Sequence, residues 1–169
     1  ISDAVTITVD ANPLDVDAGD DQDLCNVTTT TLTATALTGT QSGMWTLISG
    51  SGVNILNPTT PTTDLQGLVA GNCYTLRWTV TDGSCTTYDD TNICIDEQPL
   101  VSAGNDQQIC ATTTTLAGNA PTNVSATTGE NAIGTWTFTG GTGFPNPAVL
   151  FDANTPNTML VGLVGGLSL

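Results

Sequence analysis

Five cysteines and sixteen Asp or Glu residues are the side chains of this chain with chemistry to offer, and almost nothing stands beside them to help. His and Lys are absent and Arg77 is the single basic residue. Without imidazole there is no Ser-His or Cys-His nucleophile pair and no His metal ligand. Without lysine there is no Schiff base and no phosphate-loop ammonium. A formal net charge of -15 also sets the chain against nucleic acid and anionic membrane surfaces, which are held by clusters of Lys and Arg. Lysine-dependent isopeptide crosslinks are excluded too, so any covalent bracing must come from cysteine.

The carboxylates do not read as a catalytic pair. A glycoside hydrolase needs two of them facing one cleft about 5 to 10 Å apart. Asp89 and Asp90 are neighbours in a strand and so point to opposite faces, and Glu97 and Glu130 are isolated in loops. Asp10, Asp15, Asp17, Asp20, Asp21 and Asp23 crowd around Pro13, a density of hard oxygen ligands that suits calcium. The equivalent second stretch offers Asp96, Glu97 and Asp106, but has Ser102 and Asn105 where the first has Asp17 and Asp20. No EF-hand spacing occurs. The expectation is therefore a solvated acidic surface with no catalytic residue and no cofactor, a calcium ion at a junction between units being the alternative.

The elements that carry these residues come in repeats. Ala18 to Cys25 (AGDDQDLC) returns as Ala103 to Cys110 (AGNDQQIC), each soon followed by four threonines and a leucine, Thr28 to Leu32 and Thr112 to Leu116. Gly43 to Leu47 matches Gly134 to Phe138, and Thr60 to Val69 matches Thr155 to Val164, so insertions fall near Asn119 to Asn131 and Gly143 to Ala148. Asp3 to Asp10 aligns with Asp89 to Asp96. The expected organisation is residues 1-11 as the last strand of a preceding repeat, 12-98 as a complete repeat, and 99-169 as a truncated following one.

Within the complete repeat, apolar alternation and turn residues predict seven short strands: Gln22 to Asn26, Thr30 to Ala36, Gly43 to Ile48, Val53 to Leu56, Thr63 to Leu68, Cys73 to Thr81 and Thr86 to Asp96. No stretch has helical period. With 34 threonines in 169 residues, β-branched side chains favour a pleated surface. The fold class is all-β, a tandem of seven-stranded antiparallel sandwiches of immunoglobulin-like type. Met159 to Leu169 is the most apolar run, at 11 residues too short for a membrane helix, which takes about 20. Ile1 to Asp10 lacks a basic start and a cleavage site.

Asp82-Gly83-Ser84-Cys85 reads as a tight hairpin turn, and centring it on Gly83 and Ser84 makes paired residue numbers sum to 167. Cys73 then faces Cys94, the preferred disulfide. The position of Cys94 is Thr8 in the preceding repeat and that of Cys73 is Ser168 in the following one, so neither neighbour shows a lone partner. Cys25 and Cys85 remain as the second pair, and Cys110 would find its partner beyond Leu169. This is one of three connectivities that four cysteines allow, thiols left unbonded being the competing reading. Zinc is disfavoured, because the spacings are unlike paired C-x2-C ligands.

Trp45 and Trp136 share one repeat position and, with Trp78, read as sandwich core. The Thr runs read as β-forming surface, and the sequons at Asn26 and Asn123 decide nothing.

These motifs together, Ala-Gly-x-Asp-Gln-x-Leu-Cys, Gly-x-Trp-Thr-Leu, Asn-Pro-x-x-Pro and Tyr-x-Leu-x-Trp-Thr-Val-Thr-Asp-Gly-x-Cys, span nearly the whole chain. They resemble the tandem PKD-like or immunoglobulin-like repeats of very large surface adhesins in gliding bacteria with a type IX secretion system. The resemblance implies a non-catalytic, extracellular stalk, associated with the outer membrane at the cell surface. Its implied partners are neighbouring repeats, the outer-membrane secretion and motility machinery, and a surface polysaccharide or substratum gripped by other parts of the protein. The rival is a spacer or carbohydrate-binding module of a secreted multidomain hydrolase.

Overall fold

The structure is a computed structural model that describes residues 3-9, 15-122, 125-139 and 148-164. It forms two compact units, the first of Ile1–Glu97 with Ser125–Gly129, the second of Gln98–Val124 with Glu130–Leu169. The described residues are all-β, without a helix.

The first unit is a seven-stranded sandwich. Its strands are β1 (Gln22–Cys25), β2 (Thr29–Thr33), β3 (Ser42–Ser49), β4 (Asn54–Ile55), β5 (Thr62–Gln66), β6 (Asn72–Asp82) and β7 (Cys85–Asp96). One sheet has the order β1-β7-β6-β3 and the other β2-β5-β4. Strands β6 and β7 form the longest hairpin, and Gly83 at its turn adopts φ 58°, the left-handed conformation that a two-residue turn asks for. Pairs run from Asp82↔Cys85 to Asn72↔Ile95, the register expected from the turn.

Alternation along this hairpin makes the core. Tyr74, Leu76, Trp78 and Val80 of β6 and Ile93 and Ile95 of β7 are buried against Leu32 and Leu65 of the opposite sheet and Trp45 of β3. Trp45 and Trp78 are neighbours on adjacent strands with ring centroids 5.2 Å apart. The Tyr74 hydroxyl is satisfied by the Val69 N–H at 3.1 Å. Gly43 is glycine because a Cβ there would sit 2.3 Å from two ring carbons of Trp78.

One pairing departs from the antiparallel expectation. Strand β1 lies parallel to β7, from Gln22↔Ile93 to Cys25↔Asp96. These are the first and last strands of the unit, and the whole intervening domain acts as the crossover that a parallel pair requires.

The second unit repeats part of this frame in detail. Strands β8 (Thr113–Thr115), β9 (Val149–Leu150) and β10 (Met159–Val161) form a sheet of order β8-β10-β9, the counterpart of β2-β5-β4. Asn57 N–H donates to Thr63 Oγ1 in one unit, and Asp152 N–H to Thr158 Oγ1 in the other. Trp45 N–H donates to the Pro58 carbonyl, and Trp136 N–H to that of Ala153. Residues 3-9, aligned with the end of β7, belong to no strand.

The two equivalent glycines differ in their surroundings, since the nearest atom to a Cβ on Gly134 is Pro121 Cγ at 3.6 Å. Gly43→Ala is therefore expected to destabilise the first unit by about 1 to 3 kcal/mol through overpacking. Gly134→Ala stays within about 0.5 kcal/mol of the parent. Urea unfolding followed by Trp fluorescence measures both, and equal effects would contradict the packing described.

Candidate functional site

The side chains with chemistry are spread along the first unit rather than gathered. The Cys73–Cys94 disulfide closes the open end of the β6-β7 hairpin, with a Cα–Cα distance of 4.1 Å and a sequence separation of 21. Cys94 is nearly buried and pairs on its other side with Asp23 of β1.

The expected Cys25–Cys85 bridge is corrected. Neither residue is in a disulfide, and nor is Cys110. Cys25 stands opposite Asp96 and Cys85 opposite Asp82, the two ends of the 12-residue strand β7. At about 3.3 Å per residue that separates them by about 35 Å, far beyond disulfide reach. Elimination paired them in the sequence because the parallel run of β1 along β7, which carries Cys25 away from the turn, leaves no local signal.

Asp89 and Asp90 point to opposite sides of the sheet. Asp89 Oδ2 accepts the Ala18 N–H at 2.9 Å, tying down the chain that leads into β1. Asp90 accepts two hydrogen bonds from Arg77, Nε to Oδ1 at 2.7 Å and Nη2 to Oδ2 at 2.9 Å. The guanidinium also lies 3.6 Å from the centroid of the Tyr88 ring, a cation–π contact. The hydrogen bonds to Arg77 hold the Asp90 carboxyl below the ordinary value near 3.8, and Asp90 in turn raises the guanidinium. This surface cluster was legible in the same register sum of 167 that pairs Cys73 with Cys94, since it sets Arg77 opposite Asp90.

Several of the other acids serve local structure. Asp17 Oδ1 accepts the Gly19 N–H at 2.7 Å, and Ser102 Oγ does the same for Gly104 in the second unit, so the Asp-to-Ser difference between repeats leaves the turn intact. Asp21 accepts from the backbone and side chain of Asn92. Asp96 Oδ1 accepts from Ser125 Oγ at 3.1 Å and Ala126 N–H at 2.6 Å, and Asp23 Oδ1 from Thr127 Oγ1 at 2.6 Å. Nothing in the sequence signalled that Ser125–Gly129 packs with the first unit. Glu97 and Glu130 are exposed. Among the described residues no three acidic or cysteine side chains come together as a metal site; Asp10 and the sequon at Asn123 lie outside them.

Thr29, Thr31, Thr33 and Thr62 line the solvent face of the smaller sheet, and Thr31 donates to Asp64 across it at 2.9 Å. Trp45 and Trp78 are core, whereas Trp136 is only half-buried. No described helix is long and apolar enough to cross a membrane.

Residues 18-95 match the family model of the K319L-like, PKD domain. No curated protein matches the sequence. Among solved structures, the chain is similar to the PKD domain from the KIAA 1837 protein, at 22% identity and a TM-score of 0.43, over 61% of this chain and 100% of that one. The PKD domain of human KIAA0319 gives 22% identity and a TM-score of 0.43 over 55% of this chain and 87% of that one. Extracellular domains 3-5 of Drosophila OTK are matched at 10% identity, with a TM-score of 0.53, over 89% of this chain and 53% of that one. The first unit thus resembles a PKD-like domain over residues 18-95, in a chain whose described residues are all-β and sandwich-like.

Two outcomes follow from the geometry. Alkylation in denaturant without reductant is expected to label Cys25, Cys85 and Cys110 and to reach Cys73 and Cys94 only after reduction; mass spectrometry after digestion reads the difference, and five labels without reductant would contradict the disulfide. For Asp90, the depressed pKa means that its contribution to stability is present above the unfolded value and is lost as pH falls through the folded one. An NMR titration is expected to place the Asp90 midpoint below 3.8, and Arg77→Gln to return it toward that value.

Proposed function

We propose that this chain is a stretch of the stalk of a large bacterial cell-surface adhesin, of the SprB type exported by a type IX secretion system, and that it transmits load during surface attachment and gliding. In this reading residues 1-11 close one repeat, 12-98 form a complete one and 99-169 begin the next. The observation that carries the proposal is the recurrence of one half-sandwich, hydrogen bond for hydrogen bond, on top of the sequence duplication. Repetition of a module without a gathered reactive site serves length rather than catalysis. A PKD-like domain with an internal disulfide fits an oxidising, extracellular setting. The dense negative charge keeps neighbouring filaments apart, and the ligand of the adhesin lies in other parts of the protein.

Immunogold labelling with antibody raised against this chain is expected to decorate filaments on the outside of the cells that make it, and Fab fragments to reduce attachment. Label on a released enzyme with no surface filament would favour the spacer or carbohydrate-binding module of a secreted hydrolase instead. Single-molecule pulling supplies a mechanical check. Unfolding of the first unit is expected to release about 70 Å more contour length in reductant than without it, because the disulfide withholds 21 residues at about 3.4 Å each. Equal lengths would mean that no disulfide lies within the loaded span.

A further inference from the structure

Two motifs return in both repeats, the Asp-Gln pair at Asp21-Gln22 and Asp106-Gln107 and the threonine run that follows each. The structure joins them. In the first unit β2 stands at the margin of the smaller sheet, so alternate residues turn their backbone polar groups away from β5. The Thr28 carbonyl faces inward and accepts from Gly67 and Leu68 N–H, both at 3.1 Å. The outward groups are those of Thr31, Thr33 and Thr35, and the chain leading into β1 meets all three. Thr35 N–H donates to the Asp17 carbonyl at 2.8 Å, and a Cβ on Gly19 would collide with the Thr33 carbonyl. Gln22 Nε2 donates to the Thr31 carbonyl at 3.1 Å, while Thr30 Oγ1 donates to Gln22 Oε1. One carboxamide thus engages two successive threonines with its donor and its acceptor. Gln22 itself pairs opposite Ile93 in the larger sheet, so its side chain ties one sheet to the other.

The second unit has the same tie, atom for atom. Asn119 N–H donates to the Ser102 carbonyl at 3.1 Å, and a Cβ on Gly104 would crowd the Ala117 carbonyl. Gln107 Nε2 donates to the Thr115 carbonyl at 2.9 Å, and Thr114 Oγ1 to Gln107 Oε1. The separation of Gln from the donating Thr is 8 residues in one unit and 7 in the other: the turn is shorter and the partners are unchanged. Residues 106-110 form no strand, so the tie does not need a parallel ladder beside it.

We propose that Gln22, with Gln107 as its counterpart, is the load-sharing residue of the module: force entering from the N-terminal side passes through its carboxamide into β2 and the smaller sheet, as the β1-β7 ladder passes it into the larger one. This deepens the stalk reading above and rests on it. Without the carboxamide, tension beyond the Asp17–Thr35 contact falls on the four paired residues of β1 alone, and the half-buried Thr30 hydroxyl loses its acceptor. Glutamate would not substitute, since a carboxylate has no N–H for the Thr31 carbonyl.

The test pulls the whole chain at constant force in two geometries, between tags at its two termini and between a tag inserted after Gly39 and the C-terminus. Gly39 borders open space, and in the second geometry residues 17-22 lie outside the loaded span. Unfolding of the first unit is recognised by its reductant-dependent contour length, which also shows that each variant is folded. With terminal tags, Q22A, Q22E and T30V are each expected to unfold about tenfold faster than the parent, the loss of one to two hydrogen bonds, whereas T30S, which keeps the hydroxyl, stays within about twofold. Q22A/T30V is expected to be no faster than Q22A, since the two residues act as one unit. With the tag after Gly39 all variants are expected to match the parent. Parental rates for Q22A and T30V under terminal load would overturn the inference, and so would equal acceleration in both geometries, which marks an ordinary stabilising contact. Surface labelling of cells reads the adhesin role separately, so failure of one does not imitate failure of the other.

Discussion

The sandwich depends on the β6-β7 hairpin. It supplies six of the eleven residues of the buried core cluster, forms the centre of the larger sheet, and carries the disulfide and the single cation. Its register is fixed at one end by a glycine turn and at the other by a covalent bond, and a slip of one residue would turn Tyr74, Leu76, Trp78 and Val80 to solvent. The second unit makes the same point by contrast. It keeps the hydrogen bonds of the smaller sheet, and Trp136, which lacks a counterpart of this hairpin among the described residues, is half-buried where Trp45 is 2% exposed.

The chemistry of the chain follows the same economy. Sixteen carboxylates would repel one another in any one cluster, and where their partners are seen they go to separate turns and strands: Asp17 to a backbone turn, Asp21 to Asn92, Asp89 to the strand entry, Asp90 to Arg77. The solvent faces are held by hydroxyls instead. Thr side chains favour the strand backbone and exchange hydrogen bonds across it, so a sheet surface can be built without the salt bridges that one basic residue could not supply.

Much of this was legible in the sequence wherever the determinant is local. Seven strands, the inward-facing tryptophans, the hairpin register and the opposed directions of Asp89 and Asp90 all follow from alternation and one turn. The parallel β1-β7 pair was not legible, since strands about 70 residues apart carry no mark of their mutual direction, and the misassigned Cys25–Cys85 bridge followed from that gap. The packing of Ser125–Gly129 beside Asp23 and Asp96 is equally non-local. The Arg77–Asp90 pair is different in kind: the register that located the disulfide already contained it.

Strand direction also decides how such a unit would carry tension if pulled from both ends. Where β1 is drawn toward its N-terminal end and β7 toward its C-terminal end, two parallel neighbours slide past one another, so their ladder is loaded together rather than opened one bond at a time. That ladder covers only Ile93 to Asp96 of β7. Within this stretch Cys94 is bonded to Cys73 of β6, so force passed from β1 to β7 continues into β6 through a covalent link as well as hydrogen bonds. A bridge at the turn, between Cys85 and its surroundings, would have braced the end of the hairpin farthest from the load. The disulfide instead sits where the first and last strands meet, which is where a module pulled from both ends most needs it.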